Sequence, residues 1–240
     1  MRLVRWLAWS VGVLFLLGTV FRLVDSFNLF ATPPDLPETL NMVEFRLAVQ
    51  EYRVAVWPIF LLSNLANGIG FIAVTALGLA LVRHVASDSS HRVGIAAGLG
   101  MAGILGAVAQ LLIIGVTQPT IDNAYCDCGF KETEIVAQIW AQQLAESASQ
   151  WFINAALVLA AIGVASAGTA FRDRMPGSWN VYSWLVAVGL IVAVVIPMLR
   201  INPDLDLWVL AVVAGVMVPI WALWLGASLR AGDEVEPQPA

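Results

Sequence analysis

Hydrophobic residues follow one another along the chain in six long stretches, which polar segments separate. Each stretch has about 18 residues or more with few charges, enough for a helix to cross a hydrocarbon core of roughly 30 Å. The pattern predicts an all-α polytopic membrane bundle with six transmembrane helices in three hairpins, at residues 6–24, 54–82, 93–117, 151–171, 181–199 and 207–229. Residues 1–230 are expected to form one membrane domain, followed by a disordered acidic tail at 231–240.

The first stretch also has features of a signal peptide, because arginines precede an apolar run. The run is longer than the usual hydrophobic region of such a peptide, and no A-x-A cleavage site follows it before Pro33 and Pro34. We therefore interpret it as a retained helix.

Two of the polar segments are long, at residues 25–53 and 118–150. Each has an irregular, proline-containing beginning, with Pro119 in the second, and then an amphipathic pattern that runs into the next span. The two amphipathic helices either pack together as a small cap outside the membrane or lie separately on its surface.

Composition excludes a soluble protein and a nucleic-acid partner. The chain is 60% hydrophobic and 12% charged, whereas soluble domains are about 25% charged. Its net charge is −5, and Lys131 is its single lysine, so it has no basic surface for nucleic acid.

Arginine positions predict the orientation in the bilayer. With a cytoplasmic N-terminus, the inner segments hold seven positive residues and five acids, and the outer segments hold five positive residues and twelve acids. Inner loops of membrane proteins are enriched in arginine and lysine. We therefore expect a bacterial inner-membrane protein with both termini in the cytoplasm.

Ionisable side chains are nearly absent from the predicted spans. Arg22 lies close to the outer end of the first span, where it can extend to the interface or pair with Asp25. His84 and His91 flank a short inner loop, where we expect them to be solvated, with a pH-sensing or lipid-headgroup role as the alternative. Catalysis or proton transport within a membrane needs buried ionisable groups. We thus expect no enzyme, no metal site and no cofactor.

Neutral polar side chains do occur in the spans, and they fall in the outer half: Asn64, Asn67, Gln110 and Asn154. Amides in hydrocarbon need partners, so they should face one another or water. They either hold the helices together or form a polar vestibule that opens to the outside and binds a ligand.

Glycine and proline mark two further sites. Pro219 has no N–H to offer the carbonyl of Gly215, so this pair is a candidate hinge in the sixth span. Gly94 and Gly98 form a GxxxG motif, which permits close helix packing within the bundle or in a homo-oligomer.

Cys126 and Cys128 are the only cysteines, and they stand in the second long outer segment. An oxidising compartment favours a structural disulfide, within one chain or between two, although two cysteines at i,i+2 would form a strained one. A redox-active pair and a metal site are the other two interpretations, and the predicted outer segments offer no histidine to a metal.

Residues 63–85, SNLANGIGFIAVTALGLALVRHV, and 175–199, MPGSWNVYSWLVAVGLIVAVVIPML, carry a family resemblance. Here the chain resembles a broad group of bacterial six-helix membrane proteins of unknown function, in which an asparagine-containing second helix and a Pro-Gly-led fifth helix recur. The cysteine pair has no counterpart in that pattern. The resemblance implies an architecture and no activity.

Two classes of function remain. The first is a non-enzymatic accessory protein whose outer cap binds another membrane or extracytoplasmic protein. The alternative is a carrier or receptor for a small neutral molecule, which would enter the vestibule at Asn64, Asn67, Gln110 and Asn154. In both cases the lipid bilayer is the immediate partner.

Overall fold

The computed structural model describes residues 1–32, 42–85, 90–125, 132–199 and 203–232. These residues are helical apart from short turns, and they contain no strand. The helices are α1 (Arg2–Ser26), α2 (Met42–Val82), α3 (Ser90–Tyr125), α4 (Glu132–Ala170), α5 (Gly177–Leu199), α6 (Pro203–Val212) and α7 (Val218–Gly232), with a π-helical turn at Val213–Met217 between α6 and α7.

Six helical stretches in the described ranges are long and apolar enough to cross a membrane, which confirms the predicted all-α membrane bundle. The sixth joins α6, the π-turn and α7. The stretches are Arg2–Ser26, Glu51–Val82, Ser90–Gln118, Trp140–Ala170, Gly177–Leu199 and Trp208–Leu229. The grouping into three hairpins and the location of the long segments outside the membrane stay predictions.

Three helices are longer than a span needs. Helices α2 and α4 have 41 and 39 residues, or about 60 Å at 1.5 Å per residue, so each predicted amphipathic stretch continues unbroken into its span. Helix α3 runs on to Tyr125 through Pro119, where the sequence predicted an irregular segment. A proline removes one N–H, and the neighbouring residues continue the helix.

The predicted disordered tail begins at residue 231, but helix α7 includes residues 231–232. Residues 233–240 of this tail lie outside the described residues.

Consecutive helices are neighbours in space. Helix α1 packs on α2 and on α7, α2 on α3, α3 on α4, and α4 on α5, and α5 also contacts α6, the π-turn and α7. Each span therefore packs on the next one along the chain. The contact between α1 and α7 joins the last span to the first, so the spans form a closed ring.

Glycines bring α3 and α4 into backbone contact. A Cβ on Gly98 would overlap the backbone of Gly163, and one on Gly94 would overlap the side chain of Ser166. Small residues permit this approach, and dispersion then holds the helices together. The face of α3 that carries Gly94 and Gly98 is thus covered by α4 of the same chain, so an oligomer through these two glycines would need α3 and α4 to separate.

The hydrophobic core is concentrated in one half of the bundle, at the end where α1 begins. We call this the packed half, and it contains the largest fully buried side chains: Val4, Val11, Leu77, Leu81, Ile95, Leu99, Trp179, Val186, Leu190, Trp221 and Leu225. The opposite half, around Ser26 at the end of α1, we call the cavity half, because it encloses the cavity described next.

Candidate functional site

A cavity of about 380 Å³ lies in the cavity half, between α1, α2, α3, α4, α6 and the π-turn. Twelve apolar and ten polar or charged side chains make up its wall. The lining residues are Phe15, Thr19, Phe21, Arg22, Leu23, Asp25, Ser26, Ile59, Phe60, Ser63, Asn64, Asn67, Phe71, Gln110, Ile113, Ser149, Gln150, Ile153, Leu157, Leu210, Ala211 and Ala214.

Three of the four amides that the sequence singled out line this cavity: Asn64, Asn67 and Gln110. Asn154 is not among the lining residues, and its Oδ1 accepts a hydrogen bond from Gln150 Nε2 at 3.0 Å. The structure therefore brings together amides from α2 and α3 and leaves out the one from α4.

The lining amides are not tied to other helices by hydrogen bonds. Asn64 Nδ2 donates to the carbonyl of Phe60, one turn earlier in the same helix, at 2.7 Å. The side chain of Asn67 lies against Gly18 of α1, and that of Gln110 against Gly68 of α2. Within the part of the chain that the structure describes, neither Asn67 nor Gln110 has a hydrogen-bond partner. Their polar atoms are left to the cavity.

Two serine hydroxyls make hydrogen bonds between these helices. Ser63 Oγ donates to the carbonyl of Gly18 at 2.9 Å, which joins α2 to α1. Ser149 Oγ donates to the carbonyl of Ala109 at 3.3 Å and joins α4 to α3. The sequence singled out no residue at position 149. A serine in an apolar stretch is a weak signal, since its hydroxyl can also bond within its own helix.

Two charged side chains border the cavity at the end of α1. Arg22 and Asp25 both line it, and no ion pair forms between them. The Tyr52 hydroxyl lies 3.5 Å from Asp25 Oδ1 and 3.2 Å from Asn28 Oδ1. The sequence suggested an ion pair between Arg22 and Asp25 as one alternative. In the structure the two charges attract each other without forming a salt bridge.

The π-turn forms one wall of the cavity. Ala214, in the turn, lines it together with Leu210 and Ala211 of α6. The Val218 N–H bonds the carbonyl of Val213 five residues earlier, which is the π pattern. Pro219 follows directly, so the helix is irregular where the sequence placed a kink. Gly215 lies in this turn against Thr19 of α1, where a Cβ would overlap the threonine side chain. The hinge role of Gly215 and Pro219 stays a prediction.

A second polar cluster, which the sequence analysis missed, lies in the packed half. The indoles of Trp179 and Trp221 stack with centroids 5.9 Å apart. Trp221 Nε1 donates to Ser183 Oγ at 2.9 Å, and Ser183 Oγ donates to the carbonyl of Trp179 at 2.9 Å. Trp179 Nε1 and Asn180 Oδ1 are buried there without a described partner. Trp179 and Ser183 are four residues apart, a spacing that apolar helices contain too often to be a signal.

The remaining predicted sites lie away from the cavity. Cys126 and Cys128 are outside the described residues. His84 follows α2 at the other end of the bundle, where its carbonyl accepts a hydrogen bond from Arg174 Nη1 at 3.1 Å. Partial burial, with positive charges nearby that include Arg174 and Arg83, lowers the pKa of His84 below its ordinary value. Among the described residues, no three His, Cys, Asp or Glu side chains are grouped so that they could hold a metal.

Comparison with known proteins does not assign the chain to a family, so the resemblance to six-helix bacterial proteins stays a prediction. No protein-family model matches the chain, and no curated protein and no solved structure matches it.

Proposed function

We propose that this membrane protein binds a small polar molecule without net charge in the cavity, as a carrier or a receptor. The observation that carries the proposal is that Asn67 and Gln110 face one cavity and have no hydrogen-bond partner in the described ranges. An amide deprived of partners inside a membrane costs free energy. Water or a ligand with its own donors and acceptors would supply the missing hydrogen bonds.

The dimensions of the cavity support the same proposal. Its volume of about 380 Å³ lies within the range of about 300–1,000 Å³ that is usual for small-molecule sites. Phe15 and Phe71 of its wall meet edge to face, with ring centroids 5.0 Å apart. Its wall combines apolar side chains with polar ones, so it offers a ligand both apolar contact and hydrogen bonds. Its described lining includes one carboxylate, Asp25, and no histidine, cysteine or lysine, so we propose binding and not catalysis.

For location, we propose a bacterial inner membrane with both termini in the cytoplasm, so that the cavity opens to the outside. The resemblance to bacterial six-helix proteins supports the membrane, and the excess of arginines in the predicted inner segments supports the orientation. Leu29→Cys, at an exposed position beyond α1, should react with an impermeant thiol reagent in intact cells that carry serine at 126 and 128. Ser178→Cys, at the other end, should react only after permeabilisation, and the reverse pattern would invert the orientation.

Native mass spectrometry of the protein purified in a mild detergent tests the binding function. Wild type should retain a small bound molecule, and the double variant Asn67→Leu/Gln110→Leu should lose it, because both amides are removed from the cavity. Gln143→Leu is the matched control: it removes an exposed amide of α4 that does not line the cavity, and it should retain the molecule. Equal occupancy, or equal emptiness, in all three proteins would contradict the proposal.

An accessory role for the outer segments is the second candidate, and one ion pair favours it. Arg53 Nη2 lies 3.0 Å from Glu146 Oε1, and this contact joins the first part of α2 to the first part of α4. The two long segments are therefore in contact, as a common cap requires. If the cap binds a protein partner, Glu146→Arg should release that partner and Arg53→Glu/Glu146→Arg should restore it. A partner that stays bound to the single variant would contradict this role.

A further inference from the structure

The charges that border the cavity are one positive and one negative. Arg22 and Asp25 are the two charged side chains among its described lining residues. They are three residues apart on α1, so they share a face and their Cβ atoms are about 5–6 Å apart. Side chains at this spacing commonly pair, yet no ion pair joins them here.

Contacts with α2 account for the separation of the two charges. The Tyr52 hydroxyl, 3.5 Å from Asp25 Oδ1, places a donor beside the carboxylate, and the same hydroxyl lies 3.2 Å from Asn28 Oδ1. The guanidinium of Arg22 has no hydrogen bond to any residue in the described ranges. Its five N–H donors are thus available to an acceptor in the cavity.

We propose that the ligand is a zwitterion, whose anionic group binds Arg22 and whose cationic group binds Asp25. This inference rests on the proposed function and names the ligand class. A molecule with only one charge would satisfy one of the two side chains and be repelled by the other. A molecule with both charges binds both side chains and has no net charge, as the balanced lining favours.

The rest of the cavity fits the body of such a molecule. Asn67 and Gln110 offer an amide donor and acceptor each, on α2 and α3, facing the same space as the charged pair. Phe15 and Phe71 offer apolar surface on the cavity wall. Charged groups at the end of α1 and hydrogen bonds farther along the cavity would orient a small zwitterion along α1.

Isothermal titration of the full chain in a neutral detergent tests the inference with probes of matched size. The zwitterions are glycine betaine, β-alanine and methyl phosphocholine, a phosphodiester without net charge. Choline carries only the cation, methyl phosphate only the anion, and N-methylacetamide neither. We expect at least one zwitterion to bind ten times more tightly than each of the other three probes.

Variants of Arg22 and Asp25 show which charged group of the ligand binds each side chain. Arg22→Gln should weaken the zwitterion at least tenfold and strengthen choline, because the repelling cation is gone, and Arg22→Lys should restore part of the affinity for the zwitterion. Asp25→Asn should weaken the zwitterion similarly and strengthen methyl phosphate, because the repelling anion is gone. Arg53→Gln is the matched control, because it removes an arginine of the same end that does not line the cavity, and it should not change the affinity.

Two outcomes would overturn the inference, and they are distinguishable. If N-methylacetamide binds as tightly as every zwitterion, the zwitterion assignment is wrong and the proposed binding function stands. If no probe binds, both are wrong. The source of the zwitterion is decided in nanodiscs: phosphatidylcholine, compared with phosphatidylglycerol, should compete with methyl phosphocholine if the site takes a lipid headgroup and should not if it takes a free molecule.

Discussion

In the packed half of the bundle, Ser183 is fully buried and hydrogen-bonded to Trp221, whereas in the cavity half Asn67 and Gln110 face a cavity without a described partner. Both halves thus hold neutral polar side chains among apolar helices. In the packed half these groups help to fix the positions of α5 and α7, and in the cavity half they are open to a ligand. The comparison teaches that a polar residue in a span gains its role from what it faces, and not from its type.

The largest expected effect is the loss of a packed indole. Trp221 is 2% exposed and stacks on Trp179, so Trp221→Ala should cost about 3–5 kcal/mol of unfolding free energy through the void it leaves. Phe60→Ala, on the cavity wall, should cost less, because one side of that ring already borders open space. Denaturant titration in mixed micelles measures the free energy of unfolding of both variants. Equal decreases would contradict a difference in packing between the two halves.

Close helix packing provides the next test. Gly98→Ala places a methyl group on the backbone of Gly163, and separating the two helices should cost about 1–3 kcal/mol. Gly68→Ala in the cavity half meets only Gln110 Cβ at 3.5 Å, and Gly100→Ala meets nothing within 4 Å. These two should be neutral or stabilise the fold by up to about 1 kcal/mol. A Gly98→Ala protein as stable as Gly100→Ala would show that α3 and α4 are not in close contact.

Removal of single polar groups should also distinguish the halves. Ser183→Ala takes the acceptor from Trp221 Nε1, and a buried donor without a partner should cost about 1–3 kcal/mol. Asn67→Ala should change stability by less than about 0.5 kcal/mol, since it breaks no described hydrogen bond and its side chain already borders the cavity. Thermal unfolding in detergent compares the two variants, and a larger loss for Asn67→Ala would mean that this amide holds helices together.

The smallest effect concerns pH at the end opposite the cavity. Because partial burial and nearby positive charges lower the pKa of His84, the unfolded chain binds this proton more readily than the folded one. Its contribution to stability should therefore be complete above about pH 6.5 and decrease as the pH falls below it. His84→Gln should reduce the pH dependence of the melting temperature in that window. If the dependence is unchanged, the imidazole does not titrate as proposed.

The spans could be predicted from the sequence because hydropathy and length decide which helices can cross a bilayer. Their lengths were harder to predict. Helix α3 continues through Pro119 to Tyr125, although proline usually marks the end of a helix. The charge and turn residues that suggested an irregular segment there do not prevent a helix from continuing.

The cavity could be predicted only in part, because its lining depends on the rotation of each helix and on how far the cavity extends along it. On α4 the lining residues are Ser149, Gln150, Ile153 and Leu157. Asn154 is one turn from Gln150 on the same side of the helix, yet Gln150 lines the cavity and Asn154 does not. With few charges to mark one face, the sequence of this span does not reveal which polar residue faces inward.

Water access to the two polar groups tests the central claim most directly. In a chain with serine at 126 and 128, Asn67→Cys, Gln110→Cys and Ser183→Cys can each be exposed to an impermeant methanethiosulfonate, which reacts with hydrated thiolates. We predict modification at 67 and 110 in intact cells, and none at 183 even after permeabilisation. Unreactive thiols at 67 and 110, or a thiol at 183 that reacts as fast as they do, would contradict a ligand-accessible cavity beside a packed half.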